Sequence, residues 1–465
     1  MLAITLLGVG LRSYHLGFYS LWYDETFTAW TVAQTPKDIL WIGLQDVVHP
    51  PLYYLLLSFL IRLIGNSEFA LRILSAWISL LGIPLLYQLG RRGWDRRVGL
   101  AAALLWACLP FPVWYGQEAR MYAMLTVTGL AAALCLAQAL PKGSRRWLWA
   151  NSILNLIGLY THYFYVFSLL SQYLYLALTL RRHRRVFWRW FVMNSLAALL
   201  YLPWGVAILR SGFYRAQIAW VEPLSLQTAW QTFWEFAAGP KQPISVPPAF
   251  ILLVLAGGVA AALVGRAKRH SAIAGLTWVH LLAPLILVAL ISIAQPLFHS
   301  RFLQIALPFC LLLVAAGLTR LPRPWLGTAL LAMAVLASVL TLLATYGTPI
   351  RYNQDARSAM QYLTTSANSA DVVAFRGGQL WHAYWYYYDG PAVHEINLLP
   401  EEDIDDLSAQ VTDSGRTWLV LWDTARSCEL PAQFIPEPDD PLEISDEDCF
   451  PEVLITLYAR RGQAP

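Results

Sequence analysis

WLGTALLAMAVLASVLTLLAT, residues 325–345, runs for 21 positions without a charged side chain. A helix rises 1.5 Å per residue, so this run reaches about 30 Å, the thickness of a bilayer's hydrocarbon core. Working outward, nine more apolar runs predict membrane-crossing helices at 67–90, 98–114, 119–140, 147–160, 163–180, 187–209, 248–264, 273–294 and 302–319. An eleventh begins at Met1, where about a dozen apolar residues precede Arg12 and His15; it either extends through Tyr14–Phe18 or begins upstream. No charged leader or small-residue cleavage site marks a removable signal. With 57% hydrophobic residues, 13% charged residues and 21 tryptophans in 465, the chain has half the charge of an ordinary soluble domain.

The overall charge of +4 hides two regions of opposite sign. Residues 1–345 carry 26 Lys and Arg against 9 Asp and Glu, whereas residues 346–465 carry 7 against 20. In the first region the basic residues gather in Arg91–Arg97, Lys142–Arg146, Arg181–Arg189, Arg266–Arg269 and Arg320–Arg323, all on one side of the membrane if Pro51–Ile64 does not cross. This is the positive-inside pattern, so that side is cytoplasmic and a nucleic-acid partner is not expected. Pro51–Ile64 rises only about 21 Å as a helix and reads as an interfacial segment within a first outer loop, 13–66. If it crossed, Asp24 and Gln117–Arg120 would fall on opposite faces. The opposite face then takes that loop, the turns at Gln117–Arg120, Thr161–Tyr163 and Gln295–Arg301, the long loop 210–247 and the acidic tail.

The tail, 346–465, reads as a small extracytoplasmic α/β domain. A helix is expected near Asp355–Thr365, with strands at Asp371–Phe375, Thr417–Trp422 and Val453–Ala459 and an acidic loop between. Its aromatic run Trp381–Tyr388 suits packing against the membrane domain or its own sheet better than chemistry. Cys108, Cys135 and Cys310 lie in apolar spans as small buried hydrophobes, while Cys428 and Cys449 could pair in an oxidising compartment. No Cys and His spacing suggests a structural zinc site.

Four clusters of polar residues stand out in the outer loops. Leu21-Trp22-Tyr23-Asp24-Glu25 sets two acids among aromatics, where they serve either as caps of a helix start or as working carboxylates. His49-Pro50-Pro51-Leu52-Tyr53-Tyr54 opens a short helix, an ordinary place for proline. Gln117-Glu118-Ala119-Arg120 puts an acid and a base at the outer start of a span, able to pair with one another. A guanidinium there also offers paired N–H donors to a phosphate. His299-Ser300-Arg301 repeats an outer arginine, for which snorkelling is the plain alternative.

In this order the clusters resemble bacterial relatives of protein O-mannosyltransferases and of aminoarabinose transferases, over roughly residues 1–345. The resemblance implies a GT-C-like fold: a polytopic α-helical membrane protein of about 11 spans with a catalytic domain at 1–345, followed by the α/β tail. It implies a polyprenyl-phosphate-linked sugar donor and inverting transfer in a bacterial plasma membrane. A lipid, glycan or protein acceptor is expected on the outer side. By position Asp24 matches the general base, with Glu25 beside it. Arg120 matches the arginine at the donor phosphate, Arg301 joins it there, and His49 lies near the acceptor side with Tyr53 and Glu118 as supporting groups. Relatives differ on a divalent metal, which leaves Glu25 and Glu118 open as ligands. Tyr53-Tyr54 departs from the mannosyltransferases, where a basic residue follows Pro-Pro-Leu-Gly, so the acceptor is not implied. Two other classes fit many spans and outer arginines: a transporter or flippase of lipid-linked saccharide, and a non-catalytic scaffold. The broken helices and paired repeats of a transporter are not evident in the sequence.

Overall fold

The computed structural model describes the chain apart from residues 47–48, 212–219, 241, 243–244, 265–271, 349–353, 377–379, 400–401, 411–415, 423–426, 439 and 462–465. The basic loop Arg266–Arg269 and part of the loop 210–247 lie outside the described residues. Two compact units form: one from 1–16, 35–65 and 70–347, the other from 17–34, 66–69 and 348–465. The boundary expected at 345/346 follows the sequence; by packing, two pieces of the first loop join the tail.

The first unit is helical. Among the described residues seven helices, from Glu68–Gly93 to Pro324–Tyr346, are long and apolar enough to cross a membrane, and the bent pair Arg96–Cys108 and Pro110–Gly116 makes an eighth if taken as one span. Leu2–Ser13, Leu52–Ile64 and Tyr163–Leu178 are shorter apolar helices. The eleven expected spans therefore all fall on helices, but several are too short to cross on length alone. The segment expected to be interfacial forms the 13-residue helix Leu52–Ile64.

The bent pair turns by 58° at Leu109 and Pro110. Proline has no N–H to give to Trp106 O four residues earlier, so the break leaves carbonyls to be satisfied. Arg12 supplies the donors: Nη2 to Trp106 O at 3.0 Å, Nη1 to Ala107 O at 3.0 Å and Nε to Ser79 Oγ at 2.8 Å. The charge that shortens the first apolar run thus satisfies the end of a broken helix. Elsewhere Asn151, Asn155, Gln172, Asn194 and Trp190 form a buried hydrogen-bonded lattice between helices. At Gly317 a Cβ would strike the Gly258 carbonyl, so these two helices meet only with glycine present.

The second unit is built on a five-stranded sheet of order β2-β1-β3-β5-β4, with β1 Val372–Arg376, β2 His394–Leu398, β3 Arg416–Trp422, β4 Leu442–Phe450 and β5 Val453–Arg460. β1 runs parallel to β2 and β3, and β5 antiparallel to β3 and β4. Alternation sends Val373, Phe375, Trp418 and Val420 to one face, under helices Ala356–Ser366 and Trp381–Tyr387. Val372, Ala374, Leu419 and Leu421 go to the other, with Leu407 and Phe434. β2 and β4 were not foreseen; β4, Leu-Glu-Ile-Ser-Asp-Glu-Asp-Cys-Phe, lies in the expected acidic loop. They are the two edges of the sheet, and polar residues there discourage pairing with other chains. Cys428 and Cys449 form a disulfide, with Cα atoms 5.6 Å apart.

Candidate active site

The Arg120 turn lies between Pro110–Gly116 and Tyr122–Ala139 in the first unit. Its backbone is held from below: Ser75 Oγ donates to Arg120 O at 3.0 Å, and Ser75 Oγ meets the Tyr53 hydroxyl at 2.8 Å. The buried guanidinium donates through Nη1 to the Tyr54 hydroxyl and through Nη2 to His49 Nε2, each at 3.2 Å. The His-Pro-Pro-Leu-Tyr-Tyr stretch and the arginine turn are therefore one assembly. Tyr53 reaches the backbone of that turn through Ser75, while Tyr54, named in the sequence only as part of the Tyr53-Tyr54 pair and given no role, touches its charge. Glu118 is fully buried in the same turn.

Leu52 N–H donates to Tyr160 O at 3.1 Å, tying this assembly to the turn that carries His162. The His162 ring lies 5.8 Å from the His49 ring and 5.8 Å from Tyr122. His162 Nδ1 accepts from Phe164 N–H at 3.1 Å, so the neutral ring carries its proton on Nε2. By the same logic His49, accepting from Arg120 at Nε2, carries its proton on Nδ1. Burial and then the Arg120 charge hold His49 well below its ordinary pKa, and the same causes bring His162 down to about 3. Both rings are neutral N–H donors at physiological pH, next to a fixed positive charge.

Arg301 sits at the start of Ser300–Leu303 with its guanidinium 5.3 Å from the Trp220 ring. His299 Nδ1 accepts from Arg301 N–H at 3.2 Å, and burial followed by Arg301 lowers that histidine to about 3. Arg301 also acts electrostatically on His49. Ser300 hydroxyl donates to Glu235, a buried acid on helix Leu226–Ala238. This helix was read as loop, although its Ser225 and Thr228 form a reciprocal cap that the sequence announces.

Asp24 and Glu25 belong to the second unit, in the first turn of helix Tyr23–Ala33. Glu25 is buried and Asp24 partly so. Two acids in a first turn complement the helix dipole, as the plain alternative required, and this does not exclude chemistry. Among the described residues no three His, Cys, Asp or Glu side chains gather as a metal site.

Residues 48–206, a third of the chain, match the family described as dolichyl-phosphate-mannose-protein mannosyltransferase. That segment holds His49, Tyr53, Glu118, Arg120 and His162, and leaves Asp24 and Arg301 outside. No curated protein matches the chain by sequence. In fold it matches ArnT from Cupriavidus metallidurans in the apo state, with a TM-score of 0.69 and 12% identity over 98% of this chain and 97% of that one. ArnT bound to undecaprenyl phosphate matches with a TM-score of 0.65 over the same shares at 12% identity. The Archaeoglobus fulgidus oligosaccharyltransferase, in complex with zinc and sulfate, matches at 0.60 and 12% identity over 90% of this chain and 67% of that one.

Proposed function

We propose that the chain is a membrane glycosyltransferase of the GT-C type that moves a sugar from a polyprenyl phosphate to an extracytoplasmic acceptor with inversion, a reading supported by its likeness in fold to ArnT and by the matched mannosyltransferase segment. The observation that carries this reading is the Arg120 guanidinium, which donates to two neutral groups, Tyr54 and His49, in the matched segment. These contacts fix a permanently charged fork of N–H donors whose geometry suits a phosphate.

In the proposed step the acceptor oxygen forms a bond to the anomeric carbon as the bond from that carbon to the phosphate oxygen breaks. The electron pair leaves with the lipid phosphate, whose growing charge Arg120 and Arg301 offset. His49 Nδ1–H and His162 Nε2–H add neutral donors. Asp24 takes the acceptor's proton. No acid is needed for the leaving group, because a phosphate departs as an anion. The cytoplasmic arginine loops and the Cys428–Cys449 disulfide support an outer position for the tail.

The test is transfer from a panel of radiolabelled polyprenyl-phosphate sugars to membrane acceptors. Asp24→Asn, isosteric and unable to take a proton, is expected to lose about 10²–10⁴-fold in rate. Transfer at the parent rate in that variant removes Asp24 from the mechanism. Lipid scrambling without transfer favours the flippase.

A further inference from the structure

Helix Tyr23–Ala33 begins without a side-chain cap of its own, because Trp22 stands at the cap position. Residues more than 300 positions away fill that role. Gln354 Oε1 accepts from Tyr23 N–H at 2.7 Å, and the Tyr387 hydroxyl accepts from Leu21 N–H at 2.7 Å. Arg357 makes three contacts nearby: its N–H donates to Ser20 Oγ at 3.1 Å, Nη1 to Phe18 O at 3.1 Å and Nη2 to Glu68 Oε1 at 2.7 Å. Tyr387 completes the ring by donating to Glu68 Oε1 at 3.2 Å, and the Tyr386 hydroxyl donates to Asn66 O at 2.6 Å.

Rings close the rest of the contact. Trp422, at the end of β3, lies 5.1 Å from Tyr23, and His382 lies 5.3 Å from Phe27 and 5.2 Å from Trp30. The polar contacts fall on residues 18–23, directly before Asp24, and on Asn66 and Glu68, while the rings follow along the helix that carries Asp24. The aromatic run Trp381–Tyr388 thus has a use beyond its own sheet.

We propose that Gln354, Arg357 and Tyr387 are positioning residues for Asp24, which makes the C-terminal domain a working part of the transfer reaction. The proposal rests on Asp24 as the base. A base must lie within about 2.6–3.2 Å of the proton it takes, and a displacement of 1 Å costs on the order of 10²-fold. The Asp24 carboxylate hangs from the residue next to Tyr23, whose N–H Gln354 holds. Rotation of this first turn moves the carboxylate while the helical unit keeps its own contacts.

The experiment uses the full chain in native membranes, with the double variant Gln354→Ala/Tyr387→Phe. The turnover number is expected to fall about 10–100-fold with the donor KM unchanged, because ground-state donor binding is not what these residues serve. Amide hydrogen exchange at residues 21–30 is expected to rise, while helix Tyr122–Ala139 keeps its protection. Gln354→Glu, which retains an accepting oxygen, is expected to keep most of the rate that Gln354→Ala loses. A parent turnover number in the double variant, a rise in donor KM alone, or unchanged exchange at 21–30 overturns the proposal. Parent activity in Asp24→Asn is a different failure: it overturns the base assignment, and the exchange measurement then decides by itself whether the C-terminal domain holds this helix.

Discussion

The turn that carries Arg120 and the turn that carries Asp24 are held in opposite ways. Arg120 is fixed from inside the helical unit, by Ser75 under its carbonyl and by Tyr54 and His49 at its guanidinium. Asp24 stands on a helix whose start is fixed by Gln354 and Tyr387, from the far end of the chain. The proposed anion-holding group therefore lies within the segment matched to the mannosyltransferases, while the proposed base depends on residues outside it. Donor handling and base placement can then vary separately.

Three measurements sharpen or break that contrast. The largest effect is expected for Arg120→Ala, a loss of about 10²–10³-fold in transfer, as for removal of a group that faces transition-state charge. Its donor KM should rise too, whereas the Gln354 and Tyr387 variants leave donor KM alone. Similar KM values in both sets would erase the division of labour. Next comes His162→Phe, which keeps the ring and removes the Nε2–H donor. One neutral hydrogen bond is worth about 1 kcal/mol, so a loss of about 5–10-fold is expected, without a change in the pH–rate profile between pH 5 and 8. A shifted profile would mean that this ring titrates during turnover.

The smallest effect is on stability. His49, His162 and His299 have folded pKa values below the unfolded value of about 6.5. Protonation therefore favours the unfolded chain, and the stability they contribute is complete above pH 6.5 and is lost as the pH falls toward 3. Thermal unfolding in detergent should show this decline, and His162→Phe should make it shallower. His382 in the second unit, lowered to about 4 by burial, adds to the decline at lower pH.

What the sequence disclosed follows the same line. Apolar runs such as 325–345 announced their helices because the bilayer imposes one simple demand on composition. The runs could not show that 98–114 is broken, although Pro110 marks the place, or that Arg12 tends the break. In the tail, β1, β3 and β5 were legible as hydrophobic runs, while edge strands β2 and β4 were hidden by their solvent-facing polar residues. Asp24, His49 and Arg120 were singled out because they sit in short ordered clusters. His162, Glu235, Gln354 and Tyr387 were not, since each gains its meaning from a partner far away in sequence. Asn66 and Glu68, at the far end of the first loop, gave no sign that Tyr386 and Arg357 would reach them.

The second unit draws its pieces from both ends of the chain, and this has a consequence for synthesis. At about 5–20 residues per second, Gln354 and Tyr387 are added about 17–73 s after Tyr23. During that interval the helices of the first unit are made and inserted, while the acid-bearing turn waits without its caps. The enzyme's maturation is thus timed by its own C-terminus: a nascent chain can carry every residue from Met1 to Tyr346 and still have the Asp24 helix unanchored.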